Sequence, residues 1–410
     1  MTDSLIYLDH NATTPVDPKV LEAMLPFFSS KFGNAASRHH AMGRRAEQAV
    51  EHAAEQVANL IGADPREIVW TSGATESNNL AIRGVAEQYR DKGRHIITAV
   101  HEHKAVIDPC RRLQKDGFDL TWLTPSHDAG GLITADQVRD AIRDDTILVS
   151  IMAANNEIGT VNNIDAIGRI CKENGVLFHT DAAQLAGKMP VNVNLISGGT
   201  GGIDLLSMSG HKMYGPKGIG CLYVRRRGPR VRLTPMIDGG GHQRGMRPGT
   251  LNVPGIVGMG MACEVCANQM DDEAQRLTSL RDRLEDRITS ELEHVSINGD
   301  RNHRLPHVSN MSFHYIEAES LMMSMRDVAI SAGAACSSAS TEPSYVLRAL
   351  GLSDDLAHGS IRFSLGRFTT NSQIDLAIEK TVAGAKRLLD MSPLYEMVQA
   401  GIDPNQVEWS

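Results

Sequence analysis

The sequence predicts an α/β protein, with a large domain built on a mostly parallel sheet and a smaller α+β domain after it. Two observations lead to this fold class. From about residue 43 to residue 250, short apolar runs alternate with helical patterns, and such alternation builds a parallel sheet with helices on both faces. After Pro254 the alternation stops, and a long polar-faced helical pattern is followed by only two strand-like runs. We therefore expect a domain boundary near residue 255.

Seven short runs supply the strands of the predicted large sheet. Residues 147–152 are mostly apolar at consecutive positions, as in a central strand buried on both faces. Among the helical patterns between the runs, Gly43–Ile61 is the clearest, because its apolar residues recur every three or four positions. The predicted strands are Glu67–Thr71, His95–Val100, Leu120–Leu123, Thr146–Met152, Val176–Thr180, Ile203–Met208 and Gly218–Val224. The other predicted helices of this domain are Glu76–Tyr89, Ala105–Lys115 and Ile164–Glu173.

The smaller domain has its own set of predicted elements. A helix over Gln269–Glu293 comes first, and Pro306–Phe313 and Ser360–Leu365 are strand-like. Helices are expected over Glu317–Arg326 and Ile374–Leu389. Such a mixture, without regular strand–helix alternation, is typical of an α+β arrangement.

Composition and charge exclude several classes of protein. The 410 residues include 41 Lys+Arg and 49 Asp+Glu, for a net charge of −8, which argues against general electrostatic binding of nucleic acid. Arg225–Arg227 with Arg230 and Arg232 could form a local basic patch, although a solvated turn after a strand is the favoured interpretation. Six cysteines are too few for a disulfide framework, and the longest apolar stretch, 255–267, is too short to span a membrane. We expect a soluble protein of a reducing compartment.

The most informative segment is Ser209–Pro216, which contains Lys212. A lysine that follows a core strand and lies between small residues is expected to be partly desolvated. Desolvation favours the neutral amine, which is the form that attacks a carbonyl to make a Schiff base. The alternative interpretation is a surface lysine at a turn, as we expect for Lys217.

Asp181 ends an apolar strand, at the edge where open α/β sheets place ligand sites. A carboxylate there would suit the pyridine nitrogen of pyridoxal phosphate. The alternative, an aspartate that caps the next helix, stays open.

Thr71–Ser77 joins a strand to a helix, and its small residues and helix N-terminus predict an anion site for a phosphate. The segment lacks the Walker-A lysine and the GxGxxG pattern, so neither ATP nor NAD is favoured. His101 and His103 could in principle bind a metal, but on a strand they would point to opposite faces, which disfavours it.

Cys336 lies within a run of small residues, 331–340, that cannot pack a core well. A cysteine in such a segment is expected to be reachable, as a reactive thiol must be, although an incidental free cysteine is the alternative. Cys263 and Cys266 match CxxC only formally, and packing on a helix is favoured for them. Arg362 could bind a substrate carboxylate, or could form a structural salt bridge.

Together these segments resemble the IscS/NifS-like cysteine desulfurases of the class V aminotransferase group. The resemblance runs from Tyr7 to Trp409, and it implies a fold type I transferase that depends on pyridoxal 5'-phosphate. Two local departures are Ala35, where the family often has proline, and a longer region at 191–202. The segments that carry the resemblance are 7–15, 71–77, 102–104, 155–159, 181–184, 209–212, 239–250 and 335–340.

The resemblance implies a role for each matched residue. Lys212 would bind the cofactor covalently and shuttle protons, and His103 would stack on the ring and serve in acid–base steps. Cys336 would take the sulfur of L-cysteine, leaving L-alanine and an enzyme persulfide. Arg362, with Asn156, would bind the substrate carboxylate. The other cofactor-binding residues would be Asp181 at the pyridine nitrogen, Asn156 and Gln184 at the phenolic oxygen, and Ala74, Thr75, Ser209 and His211 at the phosphate, with Thr250 from the other subunit.

Larger-scale features are also implied by the resemblance. A large domain at 15–255 would bind the cofactor, and residues 1–14 and 256–410 would form the small domain, with a cysteine loop at about 331–342. The protein would be a cytoplasmic homodimer, or mitochondrial if a presequence had been removed, with no membrane and no stable nucleic-acid partner. Segment 392–397 resembles the tail that docks an IscU-like iron–sulfur scaffold protein. Cys336 could transiently share a [2Fe–2S] cluster with that scaffold. The sulfur could also be used for tRNA thiolation.

Two other functions are compatible with these residues. An aminotransferase or selenocysteine lyase would keep the fold and cofactor but would not need Cys336. A non-catalytic scaffold would keep the fold alone, but such a protein would not need Lys212, Asp181 and His103 together. The sequence therefore favours cysteine desulfuration.

Overall fold

The computed structural model describes residues 5–126, 130–194, 202–332 and 342–402. Its strands are β1 (Ile6–Tyr7), β2 (Ile68–Thr71), β3 (His95–Ala99), β4 (Asp119–Leu123), β5 (Thr146–Ser150), β6 (Leu177–Asp181), β7 (Leu205–Ser209), β8 (Gly220–Val224), β9 (Val295–Asn298), β10 (Val308–Phe313), β11 (Val328–Ala329), β12 (Ser331–Ala332) and β13 (Ser360–Ser364). Its α-helices are α1 (Pro18–Met24), α2 (Ala41–Ile61), α3 (Ala74–Tyr89), α4 (Lys104–Lys115), α5 (Ala135–Ala141), α6 (Ile164–Glu173), α7 (Val253–Glu291), α8 (Ala318–Ser324), α9 (Tyr345–Ala349), α10 (Asp354–His358), α11 (Asn371–Leu389) and α12 (Pro393–Gln399).

A seven-stranded sheet with the order β2-β8-β7-β6-β5-β3-β4 forms the centre of the large domain. In this order, the neighbours β7, β6, β5, β3 and β4 are parallel to one another, whereas β8 runs antiparallel to both β2 and β7. Buried apolar side chains cover both faces of this sheet. The predicted fold class and the seven predicted strands are therefore confirmed.

The second core surrounds a four-stranded antiparallel sheet with the order β12-β13-β10-β9. Residues from the start of the chain join it: Ile6 and Leu8 are buried in the same cluster as Phe313 and Phe363. Strand β1 also pairs with β11 in a separate two-stranded ladder. These contacts support the division into 15–255 and the remainder, whose exact limits stay a prediction.

Helix α7 connects the two cores. Its first half packs through Ile256 and Met259 into the core of the large sheet, and its second half packs through Leu280 and Leu284 into the second core. The predicted helix over 269–293 was therefore too short at its amino end, because the glycine-rich stretch before it is helical as well. A Cβ atom at Gly260 would lie 2.7 Å from the Cα of Ala53, so glycine lets α7 approach α2 closely. Among the described residues, no helix is long and apolar enough to cross a membrane.

Arg225 differs from the solvated arginine that its sequence context predicts. The residue follows β8, is 7% exposed, and forms an ion pair with Asp204, which is 4% exposed. Burial raises the pKa of Asp204 to about 6, while its Oδ2 accepts a hydrogen bond of 2.8 Å from the Phe178 amide. Arg227, two residues on, is exposed as predicted. The basic run therefore contains one structural arginine, which joins the end of β8 to the residue before β7.

Replacing Asp204 by alanine should destabilise the fold, because it leaves the Arg225 charge and the Phe178 amide buried without this partner. We expect the free energy of unfolding, measured by urea titration, to fall by about 3–5 kcal/mol. The exposed control Arg227→Ala should stay within about 0.5 kcal/mol of the parent. Equal stability of the two variants would show that the buried pair is not a structural requirement.

Candidate active site

A cavity of about 520 Å³ opens at the carboxyl ends of the parallel strands. Segments that follow β2, β3, β5, β6 and β7 reach its wall, because parallel strands deliver their ends to the same edge of a sheet. The structure thereby brings together most of the predicted site. The predicted residues that line the cavity are Ala74, Thr75, His103, Asn156, Asp181, Gln184, Ser209, His211 and Lys212.

Lys212 ends a short 3-10 turn, Gly210–Lys212, that follows β7 directly. Its side chain is half-buried, which agrees with the predicted partial desolvation. The Nζ atom donates to the carbonyl oxygens of Asn11 and Ala12, at 2.9 Å for the latter. The amine is therefore positioned by the amino-terminal segment, a contact that the local sequence did not predict.

Asp181 is the last residue of β6, and both of its oxygens accept hydrogen bonds. Oδ1 accepts from the Ala183 amide at 2.9 Å, but the residues that follow form turns and not a helix, so the helix-capping alternative for this aspartate is wrong. Oδ2 accepts from Asn78 Nδ2 at 2.6 Å. Each carboxylate oxygen has a second lone pair, which leaves capacity for a ligand. Asn78 was missed by the sequence analysis, although a polar residue on the sheet-facing side of α3 was the available signal.

The loop between β2 and α3 lines one end of the cavity. Gly73 precedes the first residue of α3 and has a φ of 155°, a backbone conformation that residues with a side chain rarely adopt. The amides of the first helical turn have no acceptor within the helix and carry a partial positive charge. Arg247 holds the neighbouring Glu76, with Nε 2.8 Å from Oε1. This end of the cavity suits an anion, as predicted for Ala74 and Thr75.

His103 caps α4, and its Nδ1 accepts a hydrogen bond of 3.1 Å from the Ala105 amide. Burial lowers the pKa of this imidazole, an effect that the nearby Asp181 carboxylate opposes. The ring is therefore neutral near pH 7, with Nε2 as the remaining nitrogen. His101 is separately buried, and burial lowers its pKa to about 4.

His211, which also lines the cavity, is held by the amino-terminal segment. Its Nδ1 lies 3.1 Å from the Thr13 hydroxyl. Burial lowers the pKa of His211 to about 4, and the neighbouring Lys212 adds to this effect. His211 is therefore a neutral hydrogen-bonding group in the cavity wall.

Asn156 and Gln184 line another part of the cavity wall, and Arg362 lies behind Asn156. The Oδ1 atom of Asn156 is buried and has no hydrogen-bond partner among the described residues. Arg362 is buried behind it and donates to the Asn156 carbonyl at 2.9 Å and to Asp9 Oδ1 at 2.7 Å. The structural salt bridge that was one interpretation of Arg362 is therefore present, and Arg362 does not line the cavity itself.

One further predicted residue, Thr250, is described by the structure but lies away from this cavity. Thr250 lines a separate cavity of about 300 Å³ with Asn34 and His242, away from Lys212. Cys336 lies outside the described residues. Cys263 and Cys266 are buried on α7, which confirms the helical-packing interpretation.

The residues around the cavity fit pyridoxal phosphate. An amine, a strand-end carboxylate and a helix N-terminus face one space, matching the aldehyde, ring nitrogen and phosphate of that cofactor. The unpartnered Oδ1 of Asn156 offers a further polar contact. Fold and site together define an enzyme of the fold type I class that uses pyridoxal phosphate.

Comparisons with known proteins agree with this class. Residues 6–376 match the family described as Aminotransferase class-V. Over 405 residues the chain is 56% identical to the cysteine desulfurase IscS of Anaeromyxobacter dehalogenans (strain 2CP-C), covering 99% of this chain and 98% of that protein. A solved NifS-like protein superposes with a TM-score of 0.84 at 35% identity, covering 92% and 98% of the two chains. A solved structure of SspA in complex with cysteine gives a TM-score of 0.77 at 40% identity, covering 89% and 100%.

The chain belongs to the class-V aminotransferase family and, within it, to the cysteine desulfurases. It is therefore an enzyme whose cofactor is pyridoxal phosphate. The resemblance on which the sequence analysis relied is confirmed.

Glu157 predicts a pH-dependent contribution to stability. The side chain is buried, its Oε2 lies 2.5 Å from the Ser344 hydroxyl, and burial raises its pKa from 4.5 to about 7. A raised pKa favours the protonated, folded form, so this stabilisation is complete below pH 4.5 and is lost as the pH rises through 7. We expect the Glu157→Gln variant to lose less unfolding free energy than the parent between pH 5 and pH 8, by up to about 3 kcal/mol.

Urea titrations at several pH values measure this difference, because all other titrating groups are common to both proteins. Glu293→Gln, at an exposed position, is the matched control and should follow the parent. Parallel curves for parent and Glu157→Gln would contradict the raised pKa.

Proposed function

We propose that this cleft removes sulfur from L-cysteine, with Lys212, His103 and Cys336 as the catalytic residues. The observation that carries the proposal is the meeting of Lys212, Asp181 and the α3 N-terminus around one cavity. Pyridoxal phosphate, when bound, supplies an electron-accepting ring for the bonds broken at the substrate's carbon atoms. The residues of this chain bind that group, orient it and move the protons.

Four groups hold the cofactor's phosphate in this proposal: Ala74, Thr75, Ser209 and His211. Asp181 faces the ring nitrogen, and the 2.6 Å hydrogen bond from Asn78 fixes the direction of its carboxylate. Asn156 and Gln184 lie on the phenolic-oxygen side. A carboxylate held in this way keeps the ring nitrogen protonated.

Proton transfer belongs to Lys212 and His103. The Lys212 amine lies against two carbonyl oxygens that hold it in place when it is protonated. His103 is neutral and keeps Nε2 for exchange of a proton, because its Nδ1 accepts from the backbone of α4. The two groups thus provide an amine and an imidazole within one cavity.

Substrate recognition is assigned to Arg362 together with Asn156. Arg362 contacts the Asn156 backbone from the buried side, and Asp9 partly balances its charge. A guanidinium in a buried setting binds a carboxylate strongly. The similarity to SspA, whose solved structure is a complex with cysteine, supports L-cysteine as the substrate.

Cys336 then receives the sulfur. Its thiolate attacks the sulfur of the bound cysteine, the carbon–sulfur bond breaks, and the products are L-alanine and a persulfide on Cys336. The persulfide passes sulfur to acceptors for iron–sulfur cluster assembly and for tRNA thiolation. Helix α12 and the residues after it would dock an IscU-like scaffold protein, whose [2Fe–2S] cluster Cys336 could ligate transiently as cargo.

The substitution Cys336→Ser tests the sulfur-accepting role. With L-cysteine and a reductant, we expect the parent to release alanine and sulfide, and Cys336→Ser to keep the visible absorbance of the bound cofactor but to lose at least about a hundredfold in alanine release. Cys171→Ala, a buried cysteine on α6, is the matched control and should retain the parent rate. Alanine formation by Cys336→Ser at the parent rate would remove this thiol from the mechanism, and formation of a keto acid from an amino-acid pair would indicate an aminotransferase instead.

A homodimer is the proposed assembly, with Thr250 of one subunit completing the site of the other. Four apolar side chains of the segment 21–32 are exposed in the single chain: Leu21 at 48%, Leu25 at 55%, Phe28 at 63% and Phe32 at 69%. The neighbouring Phe27 packs on the same small cluster as Leu251, the residue after Thr250. The apolar stripe therefore lies near Thr250, and such a stripe is typical of a protein–protein interface.

Charging this stripe should weaken the dimer. The double variant Phe28→Glu, Phe32→Glu is expected to sediment as a monomer at about 10 μM, because burying carboxylates in an interface is costly. Met323→Glu, at a position 65% exposed on the small domain, should leave the sedimentation coefficient unchanged. Sedimentation of the double variant together with the parent would place the interface elsewhere.

A further inference from the structure

Asn11 occupies a central position that none of the proposed roles explains. It is 1% exposed and follows the bridge between Asp9 and Ser364. Its backbone amide donates to the Ser364 hydroxyl at 2.9 Å. Three residues later, the Thr14 amide donates to the His211 carbonyl at 2.9 Å. The segment from 11 to 14 is therefore fixed at one end to the small sheet and at the other to the lysine loop.

The side chain of Asn11 is bonded at both of its polar atoms. Nδ2 donates to the Asn156 carbonyl at 2.9 Å, and Oδ1 lies 2.8 Å from Nε2 of His307. Burial lowers the pKa of His307 well below its usual range, so the ring is neutral. Since an amide oxygen can only accept, the proton of this imidazole is on Nε2. The side-chain amide of Asn11 is therefore held in one orientation by a buried donor, His307 Nε2, and a buried acceptor, the Asn156 carbonyl.

The main chain at Asn11 faces the opposite direction, toward the cavity. Its carbonyl accepts hydrogen bonds from Lys212 Nζ and from Gln184 Nε2, the second at 3.1 Å. The next carbonyl, that of Ala12, accepts from the same Lys212 amine at 2.9 Å. Two successive carbonyl oxygens thus converge on one amine. Their position is set by the side chain that anchors the peptide between them.

We propose that Asn11 is a positioning residue for Lys212. His307 and Asn156 anchor the Asn11 side chain, and this anchoring fixes the positions of the Asn11 and Ala12 carbonyls. These two carbonyls bind the Lys212 ammonium whenever the lysine is not bonded to the cofactor. The inference rests on the proposed role of Lys212. It adds a residue that touches neither cofactor nor substrate but determines where the amine is held during each turnover.

A half-buried ammonium needs acceptors, because desolvation without hydrogen bonds is costly. In the proposed function Lys212 would be released from the cofactor whenever a substrate binds, and the two carbonyls would then hold its ammonium group within the cavity. Loosening the pair should therefore slow turnover. The same change should let the amine leave the carbonyls more easily, and so speed its reaction with added cofactor. If Asn11 had only a structural role, its replacement would instead lower both the turnover rate and the rate of reaction with added cofactor.

The variant Asn11→Ala tests these opposite effects. We expect kcat for alanine release from L-cysteine to fall about tenfold with KM within about twofold, as for a lost hydrogen-bonded contact to a charged group. In protein stripped of pyridoxal phosphate, the visible band should return at least about three times faster than in the parent when the cofactor is added back. Asn162→Ala is the matched control, since Asn162 is also buried and bonds two backbone groups, Ile133 N and Met152 O.

A second pair of variants keeps the test decisive if Asn11→Ala folds poorly. The amide nitrogen of glutamine can replace the Nε2–H donor, so His307→Gln should keep parent values for both rates. His307→Leu cannot donate to Asn11 and should shift both rates in the same directions as Asn11→Ala. Such rescue by the conservative variant distinguishes positioning from packing.

Two results would overturn the inference: both rates unchanged in Asn11→Ala, or both rates reduced together in an Asn11→Ala protein that is as stable as the parent. Lys212→Ala separates this failure from a failure of the proposed function. If the visible cofactor band survives in Lys212→Ala, the assignment of the lysine itself is wrong. If that band is lost while Asn11→Ala behaves like the parent, only the role of Asn11 is rejected.

Discussion

The register of the three central strands depends on one buried histidine. His179, in the middle of β6, contacts Ser150 of β5 through Nδ1 at 2.8 Å and Ser207 of β7 through Nε2 at 3.0 Å. Burial lowers its pKa to about 3, so the ring stays neutral and each nitrogen keeps its partner. A slip of either neighbouring strand would leave buried polar atoms without partners. This bridge therefore fixes the level at which β6 ends in Asp181 and β7 ends two residues beyond Ser207, beside the lysine turn.

The amino-terminal segment connects this edge of the sheet to the second core. Ile6 and Leu8 are buried among apolar residues of the small domain, while Ala12 and Thr13 line the cavity of the large one. Asp9 contributes to the same connection, since its carboxylate pairs with Arg362 of β13. The cavity wall is consequently supported by parts of the chain that are distant in sequence. Its geometry depends on how the two cores pack together as well as on the central sheet.

Sequence reasoning predicted the features that are encoded locally. Strand–helix alternation and strand-end residues gave the parallel sheet, Lys212 and Asp181, because each depends on a few neighbouring positions. It did not predict Asn78, Asn11 or the buried pair of Arg225 with Asp204, since these contacts join residues that are distant in sequence and have no periodic pattern. Helix α7 was predicted too short for another reason. Its glycines lower helix propensity. The close approach to α2 that Gly260 allows depends on the packing of the two helices, which the sequence pattern does not show.

Residues that border the segment 333–341, which contains Cys336, belong to the same polar network as Arg362 and Asn156, the residues proposed to bind the substrate carboxylate. On one side, the Ser331 hydroxyl donates to Asp9 Oδ1 at 2.8 Å, and Arg362 Nη2 lies 3.2 Å from the same hydroxyl. On the other side, Ser344 contacts Glu157, which follows Asn156 directly. Tyr345 adds a hydrogen bond of 2.7 Å to the Glu102 carbonyl, next to His103. Asp9 therefore bonds both to one border of this segment and to Arg362, and Glu157, which bonds to the other border, is next to Asn156 in the chain. The groups proposed to bind the substrate carboxylate and the segment proposed to accept the sulfur thus share these two supports. A change at Asp9 or Glu157 would therefore act on substrate binding and sulfur transfer together.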